Sequence, residues 1–111
     1  MHADLKDTVA LVTGASGGIG QATAVELAGC GADLAVHYHR NAEGAAETVR
    51  RVEALGRRAQ AFQADVSEAA ASRKLVAEVL GAFGRVDLLD YTPDRFSFVI
   101  SRDTVSTVSP R

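Results

Sequence analysis

The 111-residue sequence predicts an α/β fold, a doubly wound parallel sheet, on three observations. Through residue 89, four apolar stretches of strand length alternate with three stretches of helix length. The first apolar stretch, VALV at 9–12, is continuous rather than alternating, as a central strand covered on both faces requires. Directly after it the chain becomes glycine-rich, TGASGGIG at 13–20, and then enters a run of helix formers.

Taken in order, the first strand is expected at 8–13 and the first helix at 18–30, stopped by Gly29 and Gly31. DLAVHY at 33–38 gives the second strand, and 42–55 the second helix, with Ala45, Val49, Val52 and Leu55 as its apolar stripe and Gly56 closing it. Residues 59–64 alternate as a third strand. After Asp65-Val66 a third helix runs over 68–83, turning Leu75, Val76, Val79, Leu80 and Phe83 inward, and Gly84 ends it. VDLL at 86–89 opens the fourth strand. Right-handed crossovers order the sheet 3-2-1-4, with the first two helices on one face and the third on the other.

The glycine stretch has a chemical reading. Gly14, Gly18 and Gly20 lack a Cβ and so permit a tight turn, approach of backbone amides to an anion, and close packing of helix on strand. The helix start adds unpaired amides and partial positive charge, which suit a pyrophosphate. Spacing excludes two other phosphate loops: Thr23 stands where G-x-G-x-x-G needs its last glycine, and the Gly-Lys-Ser/Thr of a P-loop is missing. The pattern present, T-G-x-x-x-G-x-G after an apolar strand, resembles the cofactor loop of the short-chain dehydrogenase/reductase family, and the resemblance covers residues 7–89. It implies a Rossmann-like sheet and cofactor-binding roles for Gly14, Ser16, Gly17, Gly18, Ile19 and Gly20. Asp65-Val66 matches the family's Asp-Val pair, which implies that the carboxylate accepts from the adenine amino group while the valine packs on the ring. Asp65 can also cap the third helix, with Glu68 completing a capping box, but its register with the other matches favours the adenine role.

Strand two ends His37-Tyr38-His39-Arg40-Asn41, where an adenosine ribose would sit, and offers no carboxylate for a 2′-hydroxyl. Asp33 is at the other end of that strand, roughly 15 Å away at ~3.3 Å per residue. Arg40 can pair with a 2′-phosphate and Asn41 can hydrogen-bond it, so NADP is expected over NAD; Asn41 suits a helix cap as well. His37 and His39 alternate on one strand face without other ligating groups beside them, and no metal is expected.

After Asp90 the composition changes. All ten glycines precede that point and both prolines, Pro93 and Pro110, follow it. Two units are therefore expected, a dinucleotide-binding half domain at 1–90 and a tail at 91–111. The link at 92–95 is too short for a crossover helix, so residues 96–101 can join strand four only as an antiparallel neighbour, with Arg102-Asp103 as a turn into 104–109. Asp90-Tyr91-Thr92-Pro93 stands where the family has Asn-Asn-Ala-Gly. The family's later serine and Tyr-x-x-x-Lys pair are missing too, since neither Tyr38 nor Tyr91 has a lysine four residues on. No catalytic residue is assigned.

The expectation is a truncated, NADP(H)-binding module without turnover of its own. Two alternatives stand beside it. One is a carbonyl oxidoreductase that borrows groups from a partner chain or uses unusual ones such as Tyr91; the other is a structural domain that self-associates through an exposed sheet edge or the tail. A net charge of −2 gives no footprint for nucleic acid. Acidic residues near the start and the lack of a long uncharged apolar run point to a soluble cytoplasmic protein without membrane contact. Cys30, the single cysteine, is expected as a small core residue.

Overall fold

The computed structural model describes the backbone of residues 5–91 and 97–100 and the side chains of residues 5–87. The elements are β1 (Val9–Val12), α1 (Gly18–Gly29), β2 (Asp33–Tyr38), α2 (Ala42–Ala54), β3 (Ala59–Gln63), α3 (Ala69–Phe83), β4 (Leu88–Tyr91) and β5 (Ser97–Ile100). They build one sheet in the order β3-β2-β1-β4-β5. The first four strands are mutually parallel and β5 runs antiparallel to β4, Tyr91 opposite Ser97 and Leu88 opposite Ile100. The antiparallel fit follows from the short connection. The expected turn at 102–103 and strand at 104–109 lie outside the described residues.

β1 shows why its sequence is continuously apolar. Val9, Ala10, Leu11 and Val12 are all buried, with alternate side chains entering two separate cores. On one face Ala10, Val12, Leu34 and Val36 meet Ala24 and Ala28 of α1 and Ala45 and Val52 of α2. On the other, Leu11, Ala35 and Phe62 meet Leu75 and Val79 of α3, with Val86. Fully burying such a valine or leucine contributes roughly 1.5–3 kcal/mol. The alanines let α1 lie close over the strands.

Four burial expectations need correction. Leu55 is 49% exposed because α2 ends one residue earlier and the chain turns away there. The inward face of α2 is Ala45, Thr48 and Val52, so a threonine occupies the centre of the stripe while Val49 is only half-buried. Leu80 is 37% exposed, displaced about 100° round α3 from the buried Val79. Cys30 is the C-terminal cap of α1 and half-buried rather than a core residue.

Two carboxylates tie strand ends together. Asp33, at the amino end of β2, accepts from Arg57 Nη2 at 2.9 Å and from the Arg58 amide at 3.1 Å. Asp87, only 2% exposed, accepts from the Val9 amide at 2.9 Å and from both prongs of Arg85, fixing the entry of β4 beside β1. No helix among the described residues is long and apolar enough to cross a membrane.

Candidate functional site

The carboxyl ends of β1, β2 and β3 open onto three neighbouring loops, at residues 13–17, 39–41 and 64–68. This is the edge of an open parallel sheet where ligands bind, beside the point at which the strand order reverses between β1 and β4. All the nucleotide-binding candidates fall on these loops or on the first turn of α1.

The glycines are required where the first loop turns back on itself. Gly14 and Gly18 have φ of 65° and 56°, values at which a side chain is strained. Gly20 is buried, and a Cβ there would collide with the Gly14 carbonyl and the Ala15 backbone. The turn thereby packs against the first turn of α1, whose amides have no acceptor inside the helix. Gly17 is the N-cap without any side-chain cap, and no acidic residue sits in that turn. Gly18 and Ile19 are exposed, Ile19 to 77%. Ser16 and Gly17 are half-buried.

The loop is gripped from both faces of the sheet. On the α2 side the buried Thr48 hydroxyl donates to the Ala15 carbonyl at 2.6 Å and accepts from Gln21 Nε2 at 2.9 Å. Gly44 lies so close that a Cβ would strike the Ser16 carbonyl and the Asn41 side chain. On the α3 side the buried His37 accepts from the Gly14 amide at Nδ1, 2.9 Å, and its Nε2 lies 2.7 Å from the Ala64 carbonyl. An amide only donates, so Nδ1 is bare and Nε2 bears the proton. Burial holds the His37 pKa below its ordinary value, opposed by the Ala64 hydrogen bond. The Ala15 amide donates to the His37 carbonyl at 2.9 Å. The amides of Gly14 and Ala15 are thus committed within the protein, and Gly14 serves the loop through its bend.

At the end of β2, Arg40 is exposed and its side chain makes no hydrogen bond among the described residues. Asn41 takes the capping alternative. Its Oδ1 accepts from the Gly44 amide at 2.9 Å and its Nδ2 donates to the Ser16 carbonyl at 3.3 Å, so both ends of the amide are engaged. After β3, Asp65 forms a local turn, Oδ1 accepting from the Ser67 hydroxyl at 2.6 Å and amide at 3.0 Å. These bonds hold its carboxyl below the usual range. The N-cap of α3 is Glu68 and carries no side-chain cap, so the capping box is not formed. The second oxygen of Asp65 faces His39 Nε2 at 3.9 Å, and Val66 is half-buried against the α3-side core. Arg40, Asp65 and the glycine turn therefore belong to adjacent loops along one sheet edge.

A model of the short-chain dehydrogenase family matches residues 8–91, from the start of β1 to the end of β4. The chain belongs to that family. Hydroxynaphthalene reductase arp2 of Aspergillus fumigatus is 44% identical over 85 residues, which is 77% of this chain and 31% of that protein. The short-chain dehydrogenase/reductase homolog YusS of Bacillus subtilis is 42% identical over 81 residues, 73% of this chain and 74% of its own, so the two are of similar length. Among solved structures, a short-chain dehydrogenase from Burkholderia cenocepacia in complex with NADP superposes with a TM-score of 0.75 at 50% identity, covering 78% of this chain and 35% of that one. The chain spans about a third of the length of the reductase and of the crystallised dehydrogenase. The family membership agrees with the sequence motif and with the Rossmann-like fold around it.

Proposed function

We propose that this chain is an NADP(H)-binding module, the nucleotide half of a short-chain dehydrogenase, which does not turn over a carbonyl substrate on its own. The observation that carries this reading is the Gly14–Gly20 contact, which a Cβ would fill, holding the bare first turn of α1 at the carboxyl end of the sheet, where the neighbouring loop carries an exposed Arg40. The cradle fits a diphosphate: Ser16, Gly17, Gly18 and Ile19 would line it, with Asp65 and Val66 toward the adenine. Arg40 selects the 2′-phosphate, because no carboxylate stands at residues 39–41. The Burkholderia relative's bound NADP supports the same choice. When bound, the cofactor would supply or accept a hydride. This chain's residues bind and orient its adenosine end, in the segment up to residue 90, and β5 (Ser97–Ile100) extends the sheet beyond it. The Tyr-x-x-x-Lys acid of the family is missing from the sequence, which leaves proton delivery unassigned. A cytoplasmic setting belongs to this reading.

The test is calorimetric titration with NADP and NAD. Saturable NADP binding is expected, weakened at least about tenfold by Gly17→Asp, which puts a carboxylate at the helix N-terminus in open space on extended backbone. Arg40→Ala should weaken NADP while leaving NAD unchanged. No binding of either nucleotide at millimolar concentration refutes the reading.

One observation favours an oxidoreductase completed by a partner chain: β5 ends the sheet with one backbone edge unpaired by any described strand, a template for a second copy. A steady NADPH-dependent carbonyl reduction that rises with the dimer population in sedimentation would support it.

A further inference from the structure

His37 is not itself among the nucleotide candidates, yet it is buried at the point where two of the three binding loops meet. Its ring touches the glycine loop through the Gly14 amide and the Asp65-Val66 loop through the Ala64 carbonyl. One imidazole thus spans the diphosphate cradle and the adenine side. The bridge needs one protonation state. A neutral ring with its hydrogen on Nε2 satisfies both contacts, whereas a protonated ring carries a second N–H at Nδ1, facing the Gly14 N–H donor to donor. That contact becomes repulsive, and Gly14, whose positive φ sets the turn, must move.

We infer that His37 is a positioning residue for nucleotide binding, a neutral pin between the two loops whose protonation releases Gly14 and loosens the diphosphate cradle. This deepens the nucleotide reading and rests on it. The ionic groups acting on the ring are His39, which opposes protonation from the end of β2, and Asp65, which favours it from the end of β3. A bound phosphate favours it as well, so a nucleotide would bind more tightly on acidification if charge alone governed the ring. The pin demands the reverse.

Two measurements separate the inference from the reading beneath it. In the 15N-labelled chain without ligand, the His37 ring nitrogens should report the Nε2–H tautomer, and the Gly14 amide should shift with the same midpoint as the ring. An Nδ1–H tautomer, or a Gly14 amide indifferent to the ring, overturns the pin whether or not nucleotide binds. NADP titration then follows affinity from about pH 8 to 5.5, where one linked proton changes it by at most about tenfold per pH unit. The 2′-phosphate titrates in every variant, so the comparison is with His37→Asn, whose δ oxygen can still accept from Gly14 but cannot titrate. That variant should bind within about threefold of the wild type at pH 8 and lose less affinity on acidification, while His37→Leu should bind at least about tenfold more weakly throughout. Equal acid sensitivity in the wild type and His37→Asn overturns the pin and leaves the nucleotide reading intact. No binding at pH 8 refutes the nucleotide reading, with the pin still judged by the ring and amide titrations.

Discussion

Thr48→Val offers a sharp test of how the loop is held. The substitution keeps the β-branch and nearly the same helix propensity, so packing and backbone terms almost cancel. What it removes is a hydroxyl with no exposure, which donates to the Ala15 carbonyl at 2.6 Å and accepts from Gln21 at 2.9 Å. Gln21 is half-exposed and can turn to water at little cost. Ala15 is fully buried, and an acceptor left there without a donor costs about 1–3 kcal/mol. With about 4–8 °C per kcal/mol in a domain of this size, the midpoint of thermal unfolding should drop by roughly 8–16 °C for the central value of about 2 kcal/mol. Thr48→Ser keeps the hydroxyl and loses one buried methyl, worth about 1 kcal/mol. Urea denaturation of all three proteins at neutral pH gives the comparison. A valine variant within about 0.5 kcal/mol of the wild type, or no less stable than the serine variant, refutes the claim that this hydroxyl anchors the loop.

Asp87→Ala should destabilise by about 2–3 kcal/mol, below the usual cost of breaking a buried pair because Arg85 is 35% exposed and can rehydrate; denaturant midpoints read it, and Asp87→Asn should recover part by still accepting from Val9. Gly44→Ala gains about 1 kcal/mol of helix propensity but drives a methyl into the Ser16 carbonyl, so a net loss measured by calorimetry is expected, and a net gain would mean that α2 does not press on the loop as described. Folding should also be proton-linked through His37. Its folded pKa lies below the ordinary 6.5, so the unfolded chain takes the proton first; the contribution is full above about pH 6.5 and is lost as pH falls through the folded value. Urea midpoints between about pH 7.5 and 5 should decline less steeply in His37→Asn than in the wild type, and identical slopes would contradict the assignment.

The strand order, the helix faces and the glycine turn were legible because each rests on a local rule. An unbroken VALV marks a strand buried twice over, helix-length spacers force parallel crossovers, and a residue that must pass a carbonyl without a Cβ has to be glycine, as at Gly20. Thr48 and His37 escaped because their roles are set by what lies across the fold. Thr48 sits one turn before Val52 on the inward face, and a polar residue in a stripe otherwise of alanine and valine was the available signal. His37 stood inside an apolar strand at the same face as Ala35, which marks it as buried, but the partners at Gly14 and Ala64 are 23 and 27 residues away in sequence. Asn41 shows the converse. Its cap was visible as an alternative, and only the arrival of the Ser16 carbonyl reveals that the amide is used at both ends.

These pins divide the candidate site into two kinds of residue. Thr48 and Asn41 hold the carbonyls of Ala15 and Ser16 from the α2 side, and His37 holds the amide of Gly14 from the α3 side. With those groups occupied, the proposed cradle would be formed before any anion arrives. Preformation fixes what substitution can do. A change that removes the pinning bond, such as Thr48→Val or His37→Leu, must lower stability and nucleotide affinity together, since the same bonds define both. A change at Arg40, exposed and unbonded, must lower affinity alone. If Thr48→Val weakened NADP binding with stability intact, or Arg40→Ala unfolded the chain, the cradle would be assembled by the ligand rather than by the fold.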